Sequence, residues 1–322
     1  MATTKRPTVT VLTSIMFATV VFGWMQRQYI YDWTRLRNYQ PSAEIIDLAK
    51  NTSMNDLGSK IFYVQHPELD DKVAFGGNCN VGEQTIVLGC YIPKGGIYIY
   101  KVTDPRLNGV KEVTAAHEML HAAYERLSAS RKNEVDKMIQ SAYGSLNNSR
   151  ISATIEQYKK NKADIGDELH SILGTEVRDL PTELEDYYGQ YFKNRRSIVT
   201  LSEKYESAFT ERKNKVQQYD QQLNDLKSSI DSAQERLNTL GDQLNLTRQQ
   251  LDNYLVINRY DLYNAGVAPF NSLVRTYNDK IIITRNQISQ YNKILDERNA
   301  LAVEEQELYK AIDSRLTTQT AK

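Results

Sequence analysis

The chain has 322 residues, with 40 Lys plus Arg against 40 Asp plus Glu, 40% hydrophobic residues, two Cys and four His. Zero formal charge excludes an all-over basic nucleic-acid binder, and the modest apolar fraction excludes a polytopic membrane protein. Two Cys cannot build a disulfide-rich scaffold, and the length allows two domains of ordinary size.

After a short tail (1–7), residues Thr8 to Met25 carry no charge. An 18-residue helix is about 27 Å long, near the lower limit for a bilayer span. Lys5 and Arg6 precede the run, and Trp24, Tyr29, Tyr31 and Trp33 follow it like an interfacial belt. No small-residue cleavage site follows, which favours an uncleaved transmembrane anchor over 8–26 rather than a signal peptide. Cys79 and Cys90 bracket NVGEQTIVLG, where Gly82-Glu83 offers a turn between two strands. A disulfide across that hairpin implies an oxidising compartment. The expectation is a single-pass membrane protein with a cytoplasmic N-terminus and an extracytoplasmic body.

Short strand-like runs follow at Ile61–Val64, Thr85–Leu88 and Ile97–Val102, the last preceded by a Pro93-Lys94-Gly95-Gly96 turn. They predict a small antiparallel sheet. Residues 110–197 are helical in pattern, with Pro181 near a helix start and an aromatic face of Tyr187, Tyr188, Tyr191 and Phe192. From 198 to 318 apolar heptads take over. One set runs through Val216, Leu223, Ile230, Leu237, Leu244 and Leu251, a second through Val267, Val274, Ile281, Ile288 and Leu295. These are core positions of a coiled coil. Leu251 to Val267 breaks the phase by two residues, beyond a simple stutter or stammer. Two antiparallel helices with a tip near 260–269, marked by Pro269, account for the break. Such an arm offers a coiled-coil partner surface or self-association.

The chemistry concentrates in Ala116-His117-Glu118-Met119-Leu120-His121. On a helix, His117 and His121 lie one turn apart on one face and can both ligate one ion. Glu118 stands about 100° around the helix, placed to take a proton from a water in an open coordination position. The flanking alanines favour helix.

This HExxH segment, with Thr114 three residues before the first His, resembles the zincin metallopeptidases. The absence of an HxxGxxH extension makes it similar to the gluzincin branch. That resemblance implies Zn2+, a protein or peptide substrate, Glu118 as catalytic base, and a third ligand from a downstream helix. Glu168 is the first choice, with Glu176 and His170 as alternatives. It also implies a transition-state donor, for which His170 and Tyr124 are candidates, and a substrate-pairing edge strand, for which Ile97, Tyr98, Ile99 and Tyr100 are candidates. The expected architecture is thus α+β: a zincin-like domain over 38–197 with a small antiparallel sheet and active-site helices, an N-terminal transmembrane helix, and a long antiparallel coiled-coil hairpin over 198–318. The expected activity is peptide-bond hydrolysis, with no nucleic-acid partner. The competing expectation is a membrane-anchored coiled-coil adaptor whose zincin-like domain is degenerate or structural.

Overall fold

The computed structural model describes Met16 and residues 26–79 and 86–315. It divides into two compact units, one of residues 1–206 with 311–322 and the other of residues 207–310.

In the first unit, helices α1 (Arg27–Leu36), α2 (Ala43–Asn51) and α3 (Asp56–Val64) precede strand β1 (Glu68–Asp70) and helix α4 (Lys72–Asn78). Strands β2 (Gly89–Ile92) and β3 (Gly96–Tyr100) form a hairpin whose turn closes with Gly95 N–H donating to Ile92 O at 2.9 Å. Helices α5 (Val110–Glu125), α6 (Ala129–Ser145), α7 (Ser149–Lys160), α8 (Ile165–Glu176) and α9 (Thr182–Tyr188) follow. The second unit is built from α10 (Arg195–Val256) and α11 (Tyr260–Ile312), whose ends extend beyond it.

The predicted α+β class is corrected. The described residues are predominantly helical, and their one sheet is three-stranded and mixed, in the order β1-β3-β2. β1 pairs with β3 in parallel, and β2 pairs with β3 antiparallel. Ile61–Val64, expected as a strand, closes α3 instead. Asn55 caps that helix by accepting the Gly58 N–H at 3.0 Å, and Ile61, Phe62 and Val64 are all buried on its inner face. Packing of an amphipathic turn here overrides β-branched propensity.

The membrane assignment is also corrected. Among the described residues no helix is long and apolar enough to cross a membrane. Apart from Met16 and Gln26, the expected anchor at 8–26 lies outside the described residues. The expected single-pass placement rested on that anchor and is corrected with it.

The core of the first unit forms where α5 is enclosed. Ala115, Ala116, Met119, Leu120 and Ala122 are fully buried, and the three alanines let neighbouring helices approach closely. Gly174 on α8 marks a close crossing. A methyl group there would collide with Leu120 and lie 2.9 Å from Tyr188 Cε1. This contact sets α8, and the acidic residues in its first turn, against the histidine face of α5.

In the second unit the helices run antiparallel. Asp220 pairs with Arg298 at 2.9 Å, Arg212 with Glu304 at 3.1 Å, and the Tyr219 hydroxyl donates to Glu297 at 2.8 Å. Leu223, Leu237, Leu251, Thr284 and Ile294 are buried in the seam. The reversal lies at Ile257–Arg259, with Asn258 at φ 58°, rather than near 260–269. Pro269 sits inside α11, within its third turn. Ile288 faces outward, and Gln287 takes its inner place and donates to Ser229 Oγ at 2.7 Å.

Candidate metal centre

Helix α5 presents His117 and His121 one turn apart, with side chains only 15% and 11% exposed. Asp164 caps α8 by accepting the Gly166 and Asp167 N–H groups, which places Asp167 and Glu168 in the first turn. Glu168 Oε2 lies 3.9 Å from both His117 Nε2 and His121 Nε2. That oxygen is buried and has no hydrogen-bond partner. Two imidazole nitrogens and an orphaned carboxylate oxygen converging on one point are the donor set of a three-ligand metal site. These three residues can hold a metal ion.

Around them stand groups that fix their orientation. Asp167 Oδ1 lies 2.9 Å from His121 Nδ1, so the ring presents Nε2 to the ligand cluster. The Tyr158 hydroxyl of α7 hydrogen-bonds the Glu168 carboxyl. Burial would suppress the charged form of His121, but the Asp167 hydrogen bond and the nearby Glu118 and Glu168 raise its pKa to about 9. His117, buried beside His121 and His170, is held well below the usual imidazole range.

Glu118 is 5% exposed. Burial, reinforced by Glu168 and Asp167, lifts its carboxyl to about 7, partly offset by His121 and by the Tyr91 N–H that donates to it. A buried carboxyl near neutrality suits a general base.

The Tyr91 contact places the sheet edge at the site. Tyr100 N–H donates to Leu88 O at 2.8 Å, and Gly89 pairs opposite Ile99. Alternation along an antiparallel pair then turns the backbone groups of Gly89 and Tyr91 outward from β3. A methyl on Gly89 would lie 2.7 Å from Glu118 Oε1, so strand and helix meet here. The site opens into a cavity of about 420 Å³ lined by Gly89, Tyr91, His117, Glu118, Tyr158 and Glu168, among others.

The substrate-edge assignment is corrected accordingly. Ile97, Tyr98, Ile99 and Tyr100 form the central strand, with β1 on one side and β2 on the other, so neither edge is free. Among the described residues the edge beside the cluster is β2, paired on one side only. Cys79 and Cys90 are disulfide-bonded, with Cα atoms 6.0 Å apart, and this tethers that edge strand to the end of α4. Cys79 ends a helix rather than a strand, and the predicted Gly82-Glu83 turn lies outside the described residues.

The alternative site residues go elsewhere. Glu176 accepts from Arg150 Nη2 at 2.7 Å. His170 is fully buried among Tyr124, Tyr187 and Tyr188, with its Nε2 2.8 Å from the Tyr187 hydroxyl. Burial, with His121 and Lys132 nearby, lowers its pKa to about 3. Tyr124 lines the cavity, but its hydroxyl donates to Asp136 at 2.7 Å. Sequence reasoning missed Asp167 and Tyr158 in their positioning roles. Asp167 had a local signal, as the neighbour of Glu168 in a helix first turn. Tyr158 had none.

No family model, curated protein or solved structure matches the chain.

Proposed function

We propose that the chain is a zinc metallopeptidase that hydrolyses peptide bonds. The observation that carries this reading is the convergence of His117 Nε2, His121 Nε2 and the orphaned Glu168 Oε2, with Glu118 on the next helical position beside a strand edge that no described residue pairs. A two-imidazole, one-carboxylate donor set suits Zn2+ and leaves a coordination position open. When bound there, zinc supplies Lewis-acid polarisation of a carbonyl and acidifies a water. Glu118 accepts the proton of the attacking water and returns it to the leaving amine. Gly89 and the Tyr91 carbonyl offer outward backbone groups that align an extended peptide by strand addition, the Tyr91 N–H being engaged by Glu118. Asp167 holds His121 in the ligating orientation, and Tyr158 steadies Glu168.

The test is metal content beside chelator-sensitive cleavage of an unstructured protein. Wild type should hold about one zinc per chain, as a three-ligand catalytic site does. Glu118→Gln should keep the metal and lose about 10²–10⁴-fold in rate. His117→Ala should lose the metal. Wild type that takes up no zinc under metal-replete conditions would end this reading.

A further inference from the structure

Beyond the metal cluster, a second cavity of about 420 Å³ opens at the C-terminal end of β2 and shares Tyr91 and Glu125 with the first. Its walls carry Arg27, Lys94 and Arg126 against the one carboxylate of Glu125, which accepts the Tyr91 hydroxyl. Arg126 follows the last residue of α5. Its Nη1 reaches Asp32 at 3.0 Å, but its buried Nη2 has no hydrogen-bond partner. A buried guanidinium nitrogen left unpaired is costly, and a carboxylate satisfies it with a short charge-assisted bond. Lys94 stands at the mouth with φ 62°, in a turn whose next two residues are glycines. The left-handed backbone would suit glycine better, and the lysine held there brings its positive charge to the pocket wall.

We propose that this pocket is a carboxylate-binding subsite, through which the candidate peptidase selects acidic peptides. The proposal rests on the peptidase reading and names its substrate class. Along the chain Gly89 lines the cavity of the metal cluster, Tyr91 lines both cavities and Lys94 lines the second, so an extended peptide paired on the β2 edge would deliver a neighbouring residue into it. A peptide antiparallel to β2 brings in a side chain from the N-terminal side of the scissile bond. A parallel one brings its C-terminal end. The ligand chemistry is the same, a carboxylate facing Arg126 and Lys94.

The experiment titrates three fluorescently labelled peptides into the chelated full-length protein, which cannot turn them over, and into metal-loaded Glu118→Gln. One peptide carries Asp near its N-terminus and an amidated C-terminus. The second replaces Asp with Asn. The third has Asn and a free C-terminal carboxylate. One acidic form should bind at least about tenfold more tightly than the neutral peptide, the difference that one charge-assisted contact supplies. Preference for the first sets the antiparallel direction, and preference for the third the parallel one. Arg126→Gln should abolish the preference, and Lys94→Gln, a turn substitution that leaves the core untouched, should weaken it. Equal affinities for all three peptides, absence of binding, or a preference indifferent to both substitutions would overturn the subsite. Acid preference without any cleavage by metal-loaded wild type would instead overturn the peptidase reading and leave the subsite standing.

Discussion

Asp167→Asn separates two opposing consequences of one ionic contact. Asp167 Oδ1 lies 2.9 Å from His121 Nδ1 and does two things. It orients the ring and makes Nε2 a stronger donor, and losing such a partner costs about 10–100-fold in metal affinity, or about 1.4–2.7 kcal/mol. It also helps raise the His121 pKa to about 9. At pH 7 the metal-free ring is therefore protonated, and a metal must displace that proton. Two pH units below the pKa, this competition weakens binding by about 100-fold in the wild type. Asn removes the anion and returns His121 toward the ordinary imidazole range, so most of that competition disappears. The two effects nearly cancel at pH 7. Above pH 9 the wild-type ring is already neutral, and only the lost orientation remains. The expected outcome is a zinc affinity within a few fold of wild type at pH 7 and about 10–100-fold weaker near pH 9, with a shallower pH dependence in the variant. Competition against a chelator of known affinity at both pH values measures this. Parallel pH profiles for the two proteins would refute the reasoning.

Gly89→Ala forces a methyl to 2.7 Å from Glu118 Oε1. It should destabilise the fold by about 1–3 kcal/mol, as overpacking does, and depress cleavage while metal content stays at the wild-type level. Metal loss in that variant would mean that the strand supports the ligands rather than the base. His170 is buried with a folded pKa of about 3, below the unfolded value near 6.5. The unfolded chain then binds the extra proton, so this contribution is complete above about pH 6.5 and is lost as pH falls toward 3, with a slope approaching about 1.4 kcal/mol per unit. Urea unfolding of the metal-free protein at several acidic pH values should show that slope, and His170→Asn should flatten it. Reducing Cys79–Cys90, whose partners are 11 residues apart, should cost about 3 kcal/mol by the loop-entropy relation. Unchanged denaturation midpoints with and without reductant would contradict that figure.

The parts of the fold legible in sequence were those with a strong period or a rigid turn. The heptads of α10 and α11 announced two long helices because a repeated apolar stripe has only one economical way to be buried. Their reversal was misplaced because Pro269 was read as a boundary. Pro269 lies inside α11, where it forfeits one backbone hydrogen bond without ending the helix, and the turn at Ile257–Arg259 instead uses Asn258 in a left-handed conformation. Ile288 was assigned to the seam by strict seven-residue counting. A straight helix drifts by about 20° per heptad, enough to turn Ile288 outward and bring Gln287 in. Ile61–Val64 misled for a different reason. Four apolar residues have no distinguishable period, and the capping Asn55 was the better guide.

At the site, the legible features were those carried within one helical turn. His117, Glu118 and His121 follow from local geometry alone, because residues four apart must share a face. Glu168 is brought in by a crossing between α5 and α8 that depends on Gly174 giving way to Leu120 and Tyr188, a relation between distant positions that periodicity does not encode. The edge strand was misassigned for the same reason. Ile97–Tyr100 has the stronger β pattern because it is central, with Ile97 and Ile99 buried on one face and tyrosines on the other, whereas an edge strand packed against the Glu118 carboxyl needs Gly89 and reads weakly. Strand propensity thus points away from the edge strand, the one proposed to receive a peptide: the features that make a strand conspicuous in sequence are those of a strand paired on both sides.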